Sequence, residues 1–214
     1  TNRLVGSEMC IRDRYIETFD LQTGKGISGV NTDTSNVDWT IDVSGNAMVN
    51  ANDFFAVSNI FGDPRLVARD VNDGNAANMI WYSPTVDITG HSSINLFLKA
   101  RDSSAANLEP DDSFESFYRT DGGAWTYFEN NGQLSGNFGS VQVTQDSLSG
   151  STIEIKVEMN VDDANEYLAL DSVLVRAYGE YDSLNSQYTF NKPGMYGIES
   201  VSYTHLTLPT MIRV

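Results

Sequence analysis

Along residues 15–178 the apolar positions recur with a period of two. Residues 152–159 alternate strictly, with Ile153, Ile155, Val157 and Met159 on one side and Thr152, Glu154, Lys156 and Glu158 on the other. That pattern predicts a strand with one face in a core and the other in water. Ile94, Leu96, Leu98 and Ala100 likewise share one face, and less regular strands are predicted over 37–43, 54–57, 66–68, 79–82, 114–118, 125–128, 141–143 and 167–175. Turn clusters separate them: Asp73-Gly74-Asn75, Thr89-Gly90, Asp121-Gly122-Gly123, Asn130-Asn131-Gly132 and Ser149-Gly150. No segment carries a helical stripe. Many short strands, each with one apolar face, predict an all-β fold of two antiparallel sheets packed face to face, a β-sandwich of the jelly-roll type, with an up-and-down barrel as the alternative. The polar stretch 105–113 is expected to be an exposed crossover, and Asp121-Gly122-Gly123 to close a hairpin of 114–120 with 125–129.

The two ends do not share this pattern. Residues 4–14, LVGSEMCIRDR, and 201–210, VSYTHLTLPT, read as translations of a transposase-type sequencing-library adaptor, with Met211 to Val214 as its barcode. The domain plan is then an adaptor-derived segment at 1–14, a sandwich at 15–178, a linker and start of a second β domain at 179–199, and adaptor-derived sequence again at 200–214. The natural protein is expected to continue beyond both ends. Within 179–199, the run QYTFNKPGMYGI at 187–198 resembles the closing hairpin of PKD-type immunoglobulin-like repeats; a last pair of strands of the same sandwich is the alternative.

Setting the ends aside changes the chemistry on offer. Cys10 and His205 lie in them, so 15–199 holds no cysteine and a single histidine, His91. Thiol, disulfide and zinc chemistry have almost no material there. Of the 13 Lys+Arg, Arg3, Arg12, Arg14 and Arg213 belong to the ends, and of the 29 Asp+Glu, Glu8 and Asp13 do, which leaves nine bases against 27 acids. Such a balance repels phosphate backbones and anionic lipid, so neither nucleic acid nor a membrane surface is an expected partner. No apolar run approaches the roughly 18 residues that cross a bilayer.

Two carboxylates sit on apolar parity. Glu17 alternates with Tyr15, Phe19 and Leu21, and Asp171 with Val173 and Val175. A lone inward carboxylate is costly unless paired. If the first and last strands lie side by side, Glu17, Asp171 and Asp20 meet, and a calcium ion with oxygen ligands satisfies them; a solvated aspartate at a strand end is the alternative reading of Asp171. Among the aromatics, Trp39, Trp81, Tyr82, Trp125 and Tyr127 offer either flat faces for sugar rings or core packing, with Trp125 and Tyr127 on one parity of the predicted hairpin. No catalytic residues are expected. The chain has no G-x-S-x-G, no H-E-x-x-H and no phosphate-binding glycine loop, and the E-x-D-x-x-E strand of laminarinase-like sandwiches is missing.

Four stretches, ETFD, LVARDVNDG with IWYSPTVDITGHSSINLFLKA, DSFESFYRTDGGAWTYF and EYLALDSVLV, resemble the jelly-roll modules of secreted, multidomain bacterial proteins. These modules are akin to carbohydrate-binding modules and MAM-type domains. The resemblance implies an extracellular or cell-surface location and a structural calcium, which falls on Glu17 or Asp20 and on Asp171. It also implies a non-catalytic module that binds polysaccharide or surface glycan, beside other domains of its parent chain; from the aromatic pattern, Trp81, Tyr82, Trp125 and Tyr127 are the expected ligand-binding residues. A spacer or adhesion-stalk domain with no small ligand is the competing expectation.

Overall fold

The computed structural model describes residues 10–44, 46, 48, 50–70, 78–103 and 108–179. All belong to one unit, Thr1–Tyr181; the PKD-like run at 187–198 lies outside the described residues. The strands are β1 (Cys10–Glu17), β2 (Gly26–Ser28), β3 (Thr32–Asp33), β4 (Thr40–Asp42), β5 (Phe54–Ser58), β6 (Arg65–Arg69), β7 (Met79–Tyr82) and β8 (Val86–Asp87). They continue with β9 (Ser93–Asp102), β10 (Ser113–Thr120), β11 (Thr126–Tyr127), β12 (Gln133–Ser135), β13 (Ser140–Leu148), β14 (Thr152–Asn160) and β15 (Leu168–Gly179).

They form two antiparallel sheets. The first runs β13-β9-β15-β6-β5-β2-β3, with β1 also on β15; the second runs β11-β10-β14-β7-β4, with β12 on β10 and β8 on β14. Successive long strands β9, β10, β13, β14 and β15 alternate between the sheets, which is the jelly-roll pattern. The chain is an all-β, two-sheet antiparallel sandwich. No helix among the described residues is long and apolar enough to cross a membrane.

Period-two burial builds the core. On β14, Ile153, Ile155, Val157 and Met159 face inward against Ile94, Leu96, Leu98 and Ala100 of β9 and Val173, Val175 and Ala177 of β15. Burying each such aliphatic side chain contributes about 1.5–3 kcal/mol relative to exposure. Thr120, Asp121, Gly122 and Gly123 make the β10–β11 turn. Asp121 and Gly122 both have positive φ, 52° and 68°, and the Gly123 N–H donates to the Thr120 carbonyl at 2.9 Å. Positive φ at both centres is the type I′ pattern, and the glycine at the second adopts it without steric cost; the turn lies within the connection that joins the paired residues Tyr118 and Thr126.

Two features depart from the sequence expectations. β1 pairs with β15 from Cys10↔Gly179 to Glu17↔Val173, so strand pairing crosses the expected boundary between residues 14 and 15. The stretch 105–113 is not uniformly exposed either, because Leu108 and Asp112 are buried.

Candidate functional site

β15 determines where the anticipated metal ligands fall. In its pairing with β9, Leu170 lies opposite Ala100 and Ser172 opposite Lys99, so Asp171 is an extra residue without a partner across the ladder. This bulge reverses the parity downstream. Leu168 and Leu170 face the core, and so do Val173 and Val175, although 170 and 173 are an odd number of residues apart. The Asp171 carboxylate therefore leaves the apolar face and pairs with Lys99 at 2.7 Å and with Arg65 at 3.4 Å. Glu17 does point inward. Its Oε1 accepts from the Phe19 N–H at 2.7 Å and its Oε2 from Gln22 Nε2 at 2.9 Å, while Gln22 Oε1 accepts from Trp39 Nε1 at 2.7 Å. Asp20 is exposed and accepts from Thr18 Oγ1. The expected grouping of Glu17, Asp20 and Asp171 is not assembled: one carboxylate is held by a turn, one by bases, and one lies in water.

Of the four aromatics expected to bind sugar, Trp81 needs correction. It is 0% exposed and meets Phe19 edge to face at 6.3 Å, with Trp39 on another side of the same phenylalanine. The other three lie on the outer face of the second sheet. Register places Phe117 of β10 between Tyr127 of β11 and Lys156 of β14, with Tyr82 of β7 next beyond Lys156. Phe117 and Tyr127 stack at 4.3 Å, and Tyr82 lies 6.1 Å from Trp125. Lys156 Nζ sits 4.1 Å from the Phe117 ring centre and 5.3 Å from that of Trp125, and the Arg119 guanidinium lies 4.5 Å from the latter. Cations over ring faces are stabilised by the ring quadrupole.

Carboxylates border this row. Glu154 grips Arg119 through two oxygens at 2.8 and 3.0 Å, Glu158 pairs with Lys156, and Glu115 lies opposite Glu158 in the ladder. Burial, then Asp42 and Glu158, raise the Tyr82 phenol; burial, then Glu115, raise that of Tyr127. Both hydroxyls thus stay protonated. Tyr127 is 40% exposed, and Trp125 and Tyr82 are half-buried. The strip offers ring edges and faces, carboxylate acceptors and cationic donors side by side. Phe117 and Lys156 were not singled out from sequence, although each shares parity with acidic outer-face neighbours.

A second constellation was missed altogether. Because Ser113 of β10 pairs with Asn160 of β14, the residues just before β10 and just after β14 meet at one end of the sandwich. Glu109 and Asp112 arrive from one side and Asp162 and Glu166 from the other, with one carboxylate oxygen of each lying within 4.8 Å of the rest. The Glu109 turn closes on itself: the Glu109 N–H donates to Asp112 Oδ2 at 2.7 Å and the Asp112 N–H to the Glu109 carbonyl at 3.2 Å. Arg69 anchors the other loop through the Ala164 carbonyl at 2.7 Å.

Asp112 and Glu166 are 3% and 5% exposed, whereas Glu109 and Asp162 are exposed. Burial, reinforced by Asp162 and Glu109, pushes the Asp112 carboxyl up to about 6. Burial, then Asp112 and Glu109, push Glu166 to about 7. Among the described residues no lysine or arginine forms an ion pair with any of the four. This all-oxygen set could hold a metal ion. Its sequence signal is the pair of acid-dense loops, EPDD at 109–112 and DDANE at 162–166.

No protein-family model matches the chain, and no curated protein matches it. Solved structures do align with it. The K3 cleaved adhesin domain of Lys-gingipain from Porphyromonas gingivalis is 11% identical with a TM-score of 0.47, over 78% of this chain and 99% of that one. The K1 domain of the same protein gives 15% and 0.39 over 77% and 98%, and the K2 domain 15% and 0.39 over 78% and 99%. The architecture described above rests on the two sheets themselves.

Proposed function

We propose that this chain is a non-catalytic, extracellular or cell-surface adhesion-type module of a larger protein, and that it binds glycan through the outer face of its second sheet. One observation carries the reading: Tyr82, Trp125 and Tyr127 gather on a single outer face, with Phe117, Lys156 and a border of Glu115, Glu154 and Glu158. Rings of this kind pack against sugar C–H groups, while neighbouring carboxylates and amines take up hydroxyls. The chain's charge of −16 argues against an anionic polymer as ligand, so a neutral glycan is the class assigned. In the same reading the carboxylate cluster takes calcium as a structural ion, and other domains of the parent chain are the macromolecular neighbours.

A spacer or adhesion-stalk role with no small ligand is the competing reading. The observation in its favour is that Trp125 already contacts Arg119 and Lys156, and that Trp81 is removed from the set. A glycan array probed with the chain and with its Trp125→Ala variant separates the two. Signal on a defined set of neutral polysaccharides, lost in the variant, is expected; silence across the array favours the spacer.

A further inference from the structure

We propose that Glu109, Asp112, Asp162 and Glu166 form a calcium site that joins the loop entering β10 to the loop between β14 and β15. The inference gives the calcium reading above its place and role, and it is independent of glycan binding.

The geometry supplies two separate observations. Four carboxylates from two loops converge within 4.8 Å. The second observation is Glu166: it is 95% buried by its 5% exposure, and its Oε2 has no hydrogen-bond donor. A buried carboxylate oxygen with no donor is costly, and among the described residues no lysine or arginine pairs with the cluster to offset its charge. A cation at the centre removes both the repulsion and the orphaned oxygen.

The donor set selects the ion class. The four groups are all carboxylates, with no nitrogen or sulfur among them, which disfavours zinc. Calcium accepts six to eight oxygens in flexible arrangements, which suits four mono- or bidentate carboxylates on two loops; magnesium demands a tighter octahedron and retains its waters.

Topology gives the ion its role. The loop 108–112 leads into β10 of the second sheet, and 161–167 carries the chain from β14 of the second sheet to β15 of the first. An ion held by both would clamp this end of the sandwich. The aromatic strip lies further along the same strands, since Phe117 and Arg119 of β10 run toward the 121–123 turn and away from Asp112. Calcium is thus expected to set stability rather than to touch glycan.

The test is calorimetric titration of the chelator-stripped full chain with calcium chloride, with melting curves in parallel. Expected are one site with Kd in the range of about 10⁻⁴–10⁻³ M or tighter and a higher melting temperature in millimolar calcium. Glu166→Gln should weaken binding by roughly tenfold or more. If Glu166→Gln fails to fold, the exposed pair Glu109→Gln with Asp162→Asn provides the same reading without disturbing the buried ligands. Asp171→Asn and Glu17→Gln should bind calcium as the parent chain does. No heat and no melting shift would overturn the site, as would equal binding by the cluster variants; an equal shift in magnesium would overturn the choice of calcium. Trp125→Ala, tested alongside, should keep calcium whether or not glycan binding stands, so the two readings fail separately.

Discussion

Asp171 and Lys99 are 2.7 Å apart on the outer face of the first sheet because β15 carries one residue more than β9 at that point. The same bulge lets Asp171 reach Arg65, whose side chain is nearly buried and is otherwise held by Asp63 at 2.8 Å.

Asp171→Ala should therefore leave a buried guanidinium with a single partner. The expected loss is about 1–3 kcal/mol, below the full cost of breaking an isolated buried pair because Asp63 remains. Urea unfolding measures it. A change under about 0.5 kcal/mol would mean that the Arg65 pairing contributes little.

Trp81 and Trp125 should separate stability from binding. Trp81→Ala opens a large cavity beside Phe19 and is expected to cost about 3–5 kcal/mol. Trp125→Ala, on the half-buried outer face, should cost about 1 kcal/mol or less while abolishing any glycan signal. Comparable stability losses in the two variants would contradict the placement of Trp125.

Glu17 serves a turn in which Phe19 takes a positive φ of 61°. Removing its carboxylate in Glu17→Ala strands the Phe19 N–H and the Gln22 amide, at a cost of about 1–3 kcal/mol. The melting shift should be the same with calcium and with chelator, since this carboxylate is satisfied by protein donors.

Hydrogen bonds from Lys25 and Ser35, and the Ser35 N–H, hold the Asp33 carboxyl down to about 2. A depressed folded pKa contributes stability above the unfolded value near 4, and that contribution is lost as pH falls toward 2. The stability difference between the chain and Asp33→Asn should be small, because the pair is exposed, and should shrink between pH 5 and pH 2. A difference that grows on acidification would reverse the sign.

A shortened chain of residues 15–178 tests the expected domain plan. It loses the pairs from Cys10↔Gly179 to Asp13↔Arg176 but keeps β15 paired with β9 along its length. Circular dichroism should retain the β signal, with a melting temperature lower by no more than about 4 °C. Collapse of the fold would show that 10–14 is integral to it.

The alternation of Ile153, Ile155, Val157 and Met159, and of Ile94, Leu96, Leu98 and Ala100, is a local property of the chain and determines strands with one apolar face; that they form two sheets rather than a barrel is decided by strand pairing. The Asp121-Gly122-Gly123 hairpin is local as well, since a type I′ turn is encoded in the residues that form it. Short strands such as β3 and β8 carry too few residues for a period to register, and only neighbouring strands define them. Asp171 shows the limit most clearly: parity counted from Val173 puts it inside, and one bulged residue, visible only against β9, puts it outside. Trp81 and Tyr82 are adjacent in sequence yet lie on opposite faces, and which face is the core depends on the sheet that packs across from them. The carboxylate cluster was the least accessible, because Glu109 and Glu166 are far apart in the chain and are brought together by the antiparallel register of β10 and β14. Periodicity determines what an unbroken strand buries; where a bulge falls and which distant side chains meet are decided by sheet order and register, which depend on pairing energies summed over the whole fold.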